Sequence, residues 1–399
     1  MQVFFAKIHK VTNMSTNAII CEYNPFHNGH RYQIEKIKES NGYPVTAIMS
    51  GNFTQRGDIA IVDKFRRAET AVKNGVDLVI ELPTVYACSS AKNFARAGVQ
   101  LAEAIGCTEN LCFSVEDDDL DLLNQISEAF DSEELNNEIN RLMKDGCYYP
   151  QAVETALNNL YSPKHAEVIK KPNNILAVEY LNALKHTDIK PLIIKRVGTE
   201  HDSSDTFNNF TSASNLRQMI LNGGEVQSFI PCPEDFSNSA DINFLERIII
   251  YKLRTMNLEE IKNLPDVSEG LENRIYNAFR NYNSLEEILT NIKTKRYTLA
   301  RIRRIIISAL LNITKAELKR EVAYIRVLAF NEKGAKILSE IKRSGKLPLI
   351  TNVADGYNSL DDNAKKLFDI DLLAGDIYSL ATENIKPSGE DFTRKIIKL

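Results

Sequence analysis

An alternation in the first half of the chain limits the fold more than any other feature. Short β-rich runs at 18–21, 44–49, 78–82 and 110–114 are separated by helical patterns at 31–40, 64–74 and 91–105. Strands joined through helices need crossover connections, which predicts a parallel sheet with helices on both faces. Ligands of such sheets sit beyond the carboxyl ends of the strands, so the turns after residues 21, 49 and 82 should meet at one cleft. The run 120–160 is helical and acidic-polar. One more strand is expected at 192–194 and a helix at 214–221, before Pro231-Cys232-Pro233 marks a boundary. The predicted organisation is an N-terminal extension (1–17), a Rossmann-like α/β domain (18–230) and a mostly helical C-terminal domain (231–399). Within the last, 240–330 reads as almost wholly helical, with a small strand near 347–351.

The first of these turns carries the chemistry. Cys21-Glu22-Tyr23-Asn24-Pro25-Phe26-His27-Asn28-Gly29-His30 places two histidines three residues apart around a glycine, directly before a helix. A helix N-terminus offers unpaired N–H groups and partial positive charge to an anion. Gly29 lets the backbone come close, and imidazoles can donate to developing phosphate charge. A lone His-x-Gly-His can be chance. Between a strand and a helix it is the signature of enzymes that attack the α-phosphate of ATP.

Thr211-Ser212-Ala213-Ser214-Asn215-Leu216-Arg217 sets hydroxyls and a guanidinium at another helix start. Either Ser212 or Ser214 would serve as an N-cap. Beside the histidine motif, the same segment reads as a second phosphate element, with Arg217 clamping the β- and γ-phosphates. The segment 50–58 suits a lid or substrate loop, and the charges of Asp63-Lys64-Phe65-Arg66-Arg67 equally suit a solvated helix face. Lys171-Pro172-Asn173-Asn174 is a helix-start signal whose carboxamides could also orient a nucleotide. Finally, Lys293, Lys295, Arg296, Arg301, Arg303 and Arg304 form a basic run without an acid, broken by Tyr297. Such runs are usually solvated faces, but this one has the composition that phosphate-backbone binding needs.

Net charge, −4 over 399 residues, gives no global bias toward nucleic acid. The six cysteines show neither C-x-x-C nor zinc-like spacing, which predicts reduced thiols in a cytoplasm, and Cys21 reads as a small buried residue rather than a nucleophile. No apolar run approaches bilayer length.

Segments across nearly the whole chain resemble the tRNA(Met) cytidine acetate ligases, members of the wider HIGH-motif nucleotidyltransferase superfamily. They include Glu22 to His30, Met49-Ser50-Gly51-Asn52-Phe53-Thr54-Gln55-Arg56-Gly57, Gly75-Val76-Asp77-Leu78-Val79-Ile80-Glu81-Leu82-Pro83, Lys171 to Leu176, Lys195-Arg196, Thr294-Lys295-Arg296-Tyr297-Thr298 and Asp376-Ile377-Tyr378-Ser379-Leu380. The resemblance implies activation of acetate by ATP to acetyl-adenylate, with release of pyrophosphate. The acetyl group then passes to N4 of the wobble cytidine of elongator tRNA(Met). It implies a nucleotidyltransferase domain that binds ATP, with Mg²⁺ bridging the phosphates, and a helical C-terminal region that holds the tRNA through the basic run. ATP contacts would fall on Ile20, Cys21, Glu22, Tyr23, Asn24, Pro25, Phe26, His27, Asn28, Gly29 and His30, the two histidines being catalytic. Asn173 or Asn174, and Arg196 with Val197, would complete them beside Ser212, Ser214 and Arg217. Two departures stand out: Ser114 takes the place of a nucleotide-contacting glycine, and the family's serine–threonine pair is altered at 212–214. The competing readings are a nucleotidyltransferase acting on a phosphorylated small molecule, and a non-catalytic nucleotide- or RNA-binding homologue.

Overall fold

The computed structural model describes residues 14–196, 209–232, 234–268 and 270–399. Five strands form the parallel body: β1 (Thr16–Cys21), β2 (Val45–Ser50), β3 (Leu78–Leu82), β4 (Thr108–Val115) and β5 (Lys190–Lys195). Their order is β5-β4-β1-β2-β3. Every residue of β2 and β3 is buried, as expected of central strands covered on both faces. The crossovers are α1 (Asn28–Asn41), α2 (Lys64–Lys73), and α3 (Thr84–Ala87) followed by α4 (Ala91–Ala104). Ile34, Ile37, Phe65 and Val72 pack on one face of the sheet, and Phe94, Val99 and Leu101 belong to the larger core on the other. After β3 the chain returns past β1 to form β4, so the order reverses between β1 and β4. At such a reversal a ligand crevice is expected between the carboxyl ends of the two strands.

Strand and helix positions follow the sequence reading closely. α1, however, begins inside the histidine motif rather than at residue 31, and Thr16 and Asn17, read as extension, belong to β1. The larger difference lies further on. The stretch expected to be almost wholly helical ends in β6 (Ile325–Phe330), which pairs antiparallel with β3. β7 (Leu349–Ile350) and β8 (Ile397–Lys398) both run parallel to β6, which completes an eight-stranded sheet. Without β6 the outer edge of β3 would expose a row of unpaired backbone groups, and that long-range need leaves no local mark in the sequence.

Helices Glu246–Thr255, Leu271–Asn281, Leu285–Ile292 and Leu299–Leu310 pack around buried Ile249, Ile275, Phe279, Ile288 and Ile302. No helix among the described residues is long and apolar enough to cross a membrane. All six cysteines are free thiols.

Candidate active site

His27 is the N-cap of α1. Its Nδ1 accepts from the Gly29 N–H (3.0 Å), and His30 Nδ1 accepts from the His27 N–H (3.2 Å). Two imidazoles thus make the reciprocal cap that a serine and a glutamate usually make. The rings stack at 3.7 Å between centroids, and Tyr23 and Phe26 hold the His30 ring at 4.9 and 5.5 Å. Desolvation, with Arg196 and Arg217 nearby, lowers His27 to about 3. Desolvation, His27 and Arg196 push His30 well below its ordinary value. Both rings are therefore neutral at physiological pH. With each Nδ1 accepting a backbone proton, the ring proton sits on Nε2. A Cβ at position 29 would lie 2.9 Å from His27 Cε1, so Gly29 makes room for the capping ring.

The rest of the turn is braced from several sides. Asn24 Oδ1 accepts from the Ile61 N–H, and Arg217 donates to the Asn24 carbonyl (both 2.8 Å). Asn28 Nδ2 donates to the carbonyls of Asn209 (3.0 Å) and Ser228 (2.9 Å), which draws the predicted second phosphate element to the first. Ser212 Oγ caps the helix Ala213–Leu221 through the Asn215 N–H, and Arg217 also reaches Ser214 Oγ at 3.4 Å. Ile20 packs beneath α4, where a Cβ on Gly98 would clash with it. Burial pushes the Cys21 thiol up, which suits a packed residue and not a nucleophile.

Across the crevice, Ser114 lies on β4, paired with Ile194 of β5. Arg196 continues that ladder through its N–H to the Val115 carbonyl (3.0 Å). Asn174 is fully buried and commits its whole carboxamide inward. Its Oδ1 accepts from the Glu116 N–H (3.1 Å), and its Nδ2 donates to Asp117 Oδ2 (2.8 Å) and the Val168 carbonyl (3.2 Å). Asn173 is half-buried and donates its Nδ2 to Glu116 Oε1. Val197 lies outside the described residues.

The sequence reading missed a set of buried charges beneath the second turn. Lys64 Nζ meets Glu81 Oε1 at 2.9 Å and Asp391 Oδ1 at 2.8 Å, and Arg326 Nη1 meets Glu81 Oε2 at 3.0 Å. All four side chains are at most 4% exposed. Arg67 is equally buried and donates to the carbonyls of Glu22, Ser50, Gly51 and Val62, clasping the carboxyl ends of β1 and β2. Lys64 and Arg67 are therefore not part of a solvated helix face. Acidic Glu81 inside an apolar strand was the available signal.

The basic run divides. Lys293, Lys295 and Arg296 are exposed, whereas Arg301 donates to the Asp266 carbonyl and Ser268 Oγ, and Arg304 pairs with the Asp266 carboxylate at 2.8 Å. Arg303 lines a cavity of about 300 Å³ between Gly57-Asp58 and the helices, well apart from the histidine turn in sequence.

The chain also resembles known proteins over nearly its whole length. The HIGH Nucleotidyl Transferase family model matches residues 14–392. The tRNA(Met) cytidine acetate ligase of Thermoanaerobacter sp. (strain X514) is 41% identical, covering 97% of this chain and 100% of that protein. The protein of the same name from Caldanaerobacter subterraneus subsp. tengcongensis is 39% identical over the same shares. Crystal structures of Thermotoga maritima TmcAL, apo and bound with alpha-thio ATP, superpose with TM-scores of 0.91 and 0.89. Each is 30% identical and covers 97% of this chain and 100% of that one. With the paired imidazoles at the switch point of a parallel sheet, this places the chain among the HIGH-motif nucleotidyltransferases, in the tRNA(Met) cytidine acetate ligase family.

Proposed function

We propose that the crevice between β1 and β4 binds ATP, and that the chain uses it to join acetate to the wobble cytidine of elongator tRNA(Met). The observation that carries this reading is the cap of two neutral imidazoles, neither of which uses its Nε2–H among the described residues. An acetate oxygen attacks the α-phosphorus, the bond to the β-phosphate oxygen breaks, and pyrophosphate leaves. His27 and His30 donate to the phosphoryl oxygens on which charge grows, in a site that needs no reorganisation at the moment of reaction. Arg196 and Arg217 offset the charge of the departing pyrophosphate. In the second step the N4 amine attacks the acetyl carbonyl and AMP leaves, with the cytidine splayed out of the anticodon loop. No covalent enzyme intermediate is required.

Among the described residues no group of three or more His, Cys, Asp or Glu side chains converges as a metal cage. Mg²⁺ bound together with ATP would neutralise charge on the triphosphate. The exposed Lys293, Lys295 and Arg296 give the 231–399 region a surface for the tRNA backbone, and the reaction belongs in the cytoplasm with its tRNA. The test is acetate-dependent ATP–pyrophosphate exchange, joined to mass spectrometry of tRNA incubated with ATP and labelled acetate. N4-acetylcytidine should form, and His27→Ala or His30→Ala should abolish exchange. Near-wild-type exchange in both variants would overturn the assignment.

A further inference from the structure

Glu116 stands at the carboxyl end of β4 with no part in the scheme above, and its surroundings are unusual for an acid. Its backbone N–H is held by Asn174 Oδ1 at 3.1 Å, which fixes where the residue sits. One carboxylate oxygen, Oε1, accepts from Asn173 Nδ2. The other, Oε2, is buried without a hydrogen-bond partner among the described residues. A carboxylate half-satisfied in this way costs stability, so folding alone does not explain an acid here. An ionised carboxylate can only accept hydrogen bonds, so the group that Asn173 turns toward it must be the NH₂. The Asn173 carboxamide therefore has one orientation. Its Oδ1 accepts no hydrogen bond from the described residues, and Asn173 is half-buried in the first turn of the helix Pro172–Leu184, beside the crevice.

We infer that Glu116 is a positioning residue for the nucleotide. It turns the Asn173 carboxamide so that Oδ1 faces the crevice as an acceptor for an O–H or N–H donor on the nucleoside half of ATP. The inference rests on the ATP site proposed above. Two sources supply such a donor, the ribose hydroxyls and the exocyclic amine of adenine. Asn174, wholly engaged inside the protein, cannot take this role.

Electrostatics and positioning predict opposite signs here. Glu116 acts on Arg196 through space, and Arg196 is one of the groups assigned to the phosphates. If charge were all that mattered, removing the acid would tighten ATP. If Glu116 orients Asn173, removing it loosens ATP and blurs recognition of the nucleoside.

The experiment is acetate-dependent pyrophosphate exchange with ATP, 2′-deoxyATP, 3′-deoxyATP and ITP, in which an oxygen replaces the exocyclic amine. Wild-type enzyme should show a KM roughly tenfold higher for the analogue that lacks the matched donor, as loss of one good hydrogen bond predicts. That analogue tells hydroxyl from amine. Glu116→Ala should raise the KM for ATP about tenfold, leave kcat nearly unchanged, and bring the analogue-to-ATP ratio toward one. Asn173→Ala should do the same, and the double variant should be no worse than Asn173→Ala alone. Glu116→Gln, which can offer Asn173 either an oxygen or an amide, should fall between wild type and Glu116→Ala, and it keeps the test intact if the alanine variant does not fold. The inference is overturned if no analogue is discriminated, if the Glu116 variants keep the wild-type ratio or bind ATP more tightly, or if the two losses add. Absence of acetate-dependent exchange in the wild type would instead strike the function proposed above.

Discussion

Two clusters of ionisable side chains lie at the carboxyl end of the same sheet, and they are built on opposite principles. Lys64, Glu81, Arg326 and Asp391 set each charge against an opposite one, and all four are buried. At the β1 turn, His27 and His30 each accept a backbone proton with Nδ1, and neither Nε2 has a partner among the described residues. The first arrangement resembles a structural clasp, linking the β3 end to chain some 300 residues later; the second we propose as half a binding site. Both are built from ionisable side chains at least partly withdrawn from water, so neither feature alone identifies function. What separates them is whether hydrogen-bonding capacity is left over.

The sharpest way to break this contrast is a pair of variants with opposite readouts. His27→Asn keeps a residue that caps helices well but removes the imidazole donor. Exchange activity should fall roughly 10²–10³-fold, the cost of losing one such donor. Stability should stay within about 1 kcal/mol of wild type, since the cap survives. Lys64→Met leaves Glu81 and Asp391 buried against a missing partner, and chemical denaturation should show a loss of about 3–5 kcal/mol. Its kcat per folded molecule should remain near wild type. If Lys64→Met instead lost activity without losing stability, the buried cluster would have to be counted as part of the site.

Next in size is Gly29→Ala. The added Cβ would sit 2.9 Å from His27 Cε1 and 3.0 Å from its Nδ1, so the ring must shift or the cap must open. A displacement approaching 1 Å at a positioned group can cost up to about 10²-fold in rate. The decrease should appear in kcat of the exchange reaction, with little change in melting temperature.

Much of this was legible in the sequence, and the missed parts share a cause. Continuous apolar runs with helical spacers announce a parallel sheet, and the His-x-Gly-His turn announces its own neighbours because cap, glycine and ring lie within four residues. Lys64 and Arg67 carried no such message. Their partners Glu81, Asp391, Ser50 and Glu22 are distant in sequence, and a basic residue looks the same whether it faces water or a buried carboxylate. The 325–330 strand was missed because its reason for existing is the open edge of β3. Asn173 and Asn174 are adjacent and chemically identical; only the placement of Glu116, Asp117 and Val168 tells which carboxamide is committed inside.

His27 and Asp371, a neighbour of the buried charges, should respond to acid in opposite senses. His27, lowered to about 3, stays neutral in the folded chain, while the unfolded chain takes up a proton near pH 6.5. The turn therefore contributes stability that is present above pH 6.5 and declines as pH falls below it. Asp371 lies near the buried cluster, where desolvation and the negative charge of Glu81 raise it to about 6, with Tyr324 donating at 2.6 Å. Its folded form binds a proton more tightly than the unfolded form, so its contribution is greatest below about pH 4 and is lost as pH rises toward 6. Denaturation across pH 4–7 should show Asp371→Asn removing the second slope and leaving the first. Exchange activity should show no ionisation near 6.5 from either histidine; an acid limb there in the wild-type profile would contradict the neutral-donor assignment.

The smallest effects belong to the basic run, where the same distinction between spare and committed capacity applies. Lys295 is exposed, whereas Arg301 holds the Asp266 carbonyl and Ser268. Lys295→Ala should weaken tRNA binding only several-fold at moderate salt and reduce the slope of log affinity against log salt by about 0.7–0.9, one phosphate contact. Arg301→Ala should chiefly destabilise the turn at Asp266, visible in melting of the free protein, with the salt slope preserved. A reversal of these two outcomes would mean that the Arg301 guanidinium leaves Asp266 to meet RNA, and that the bonds seen in the free chain are a resting state.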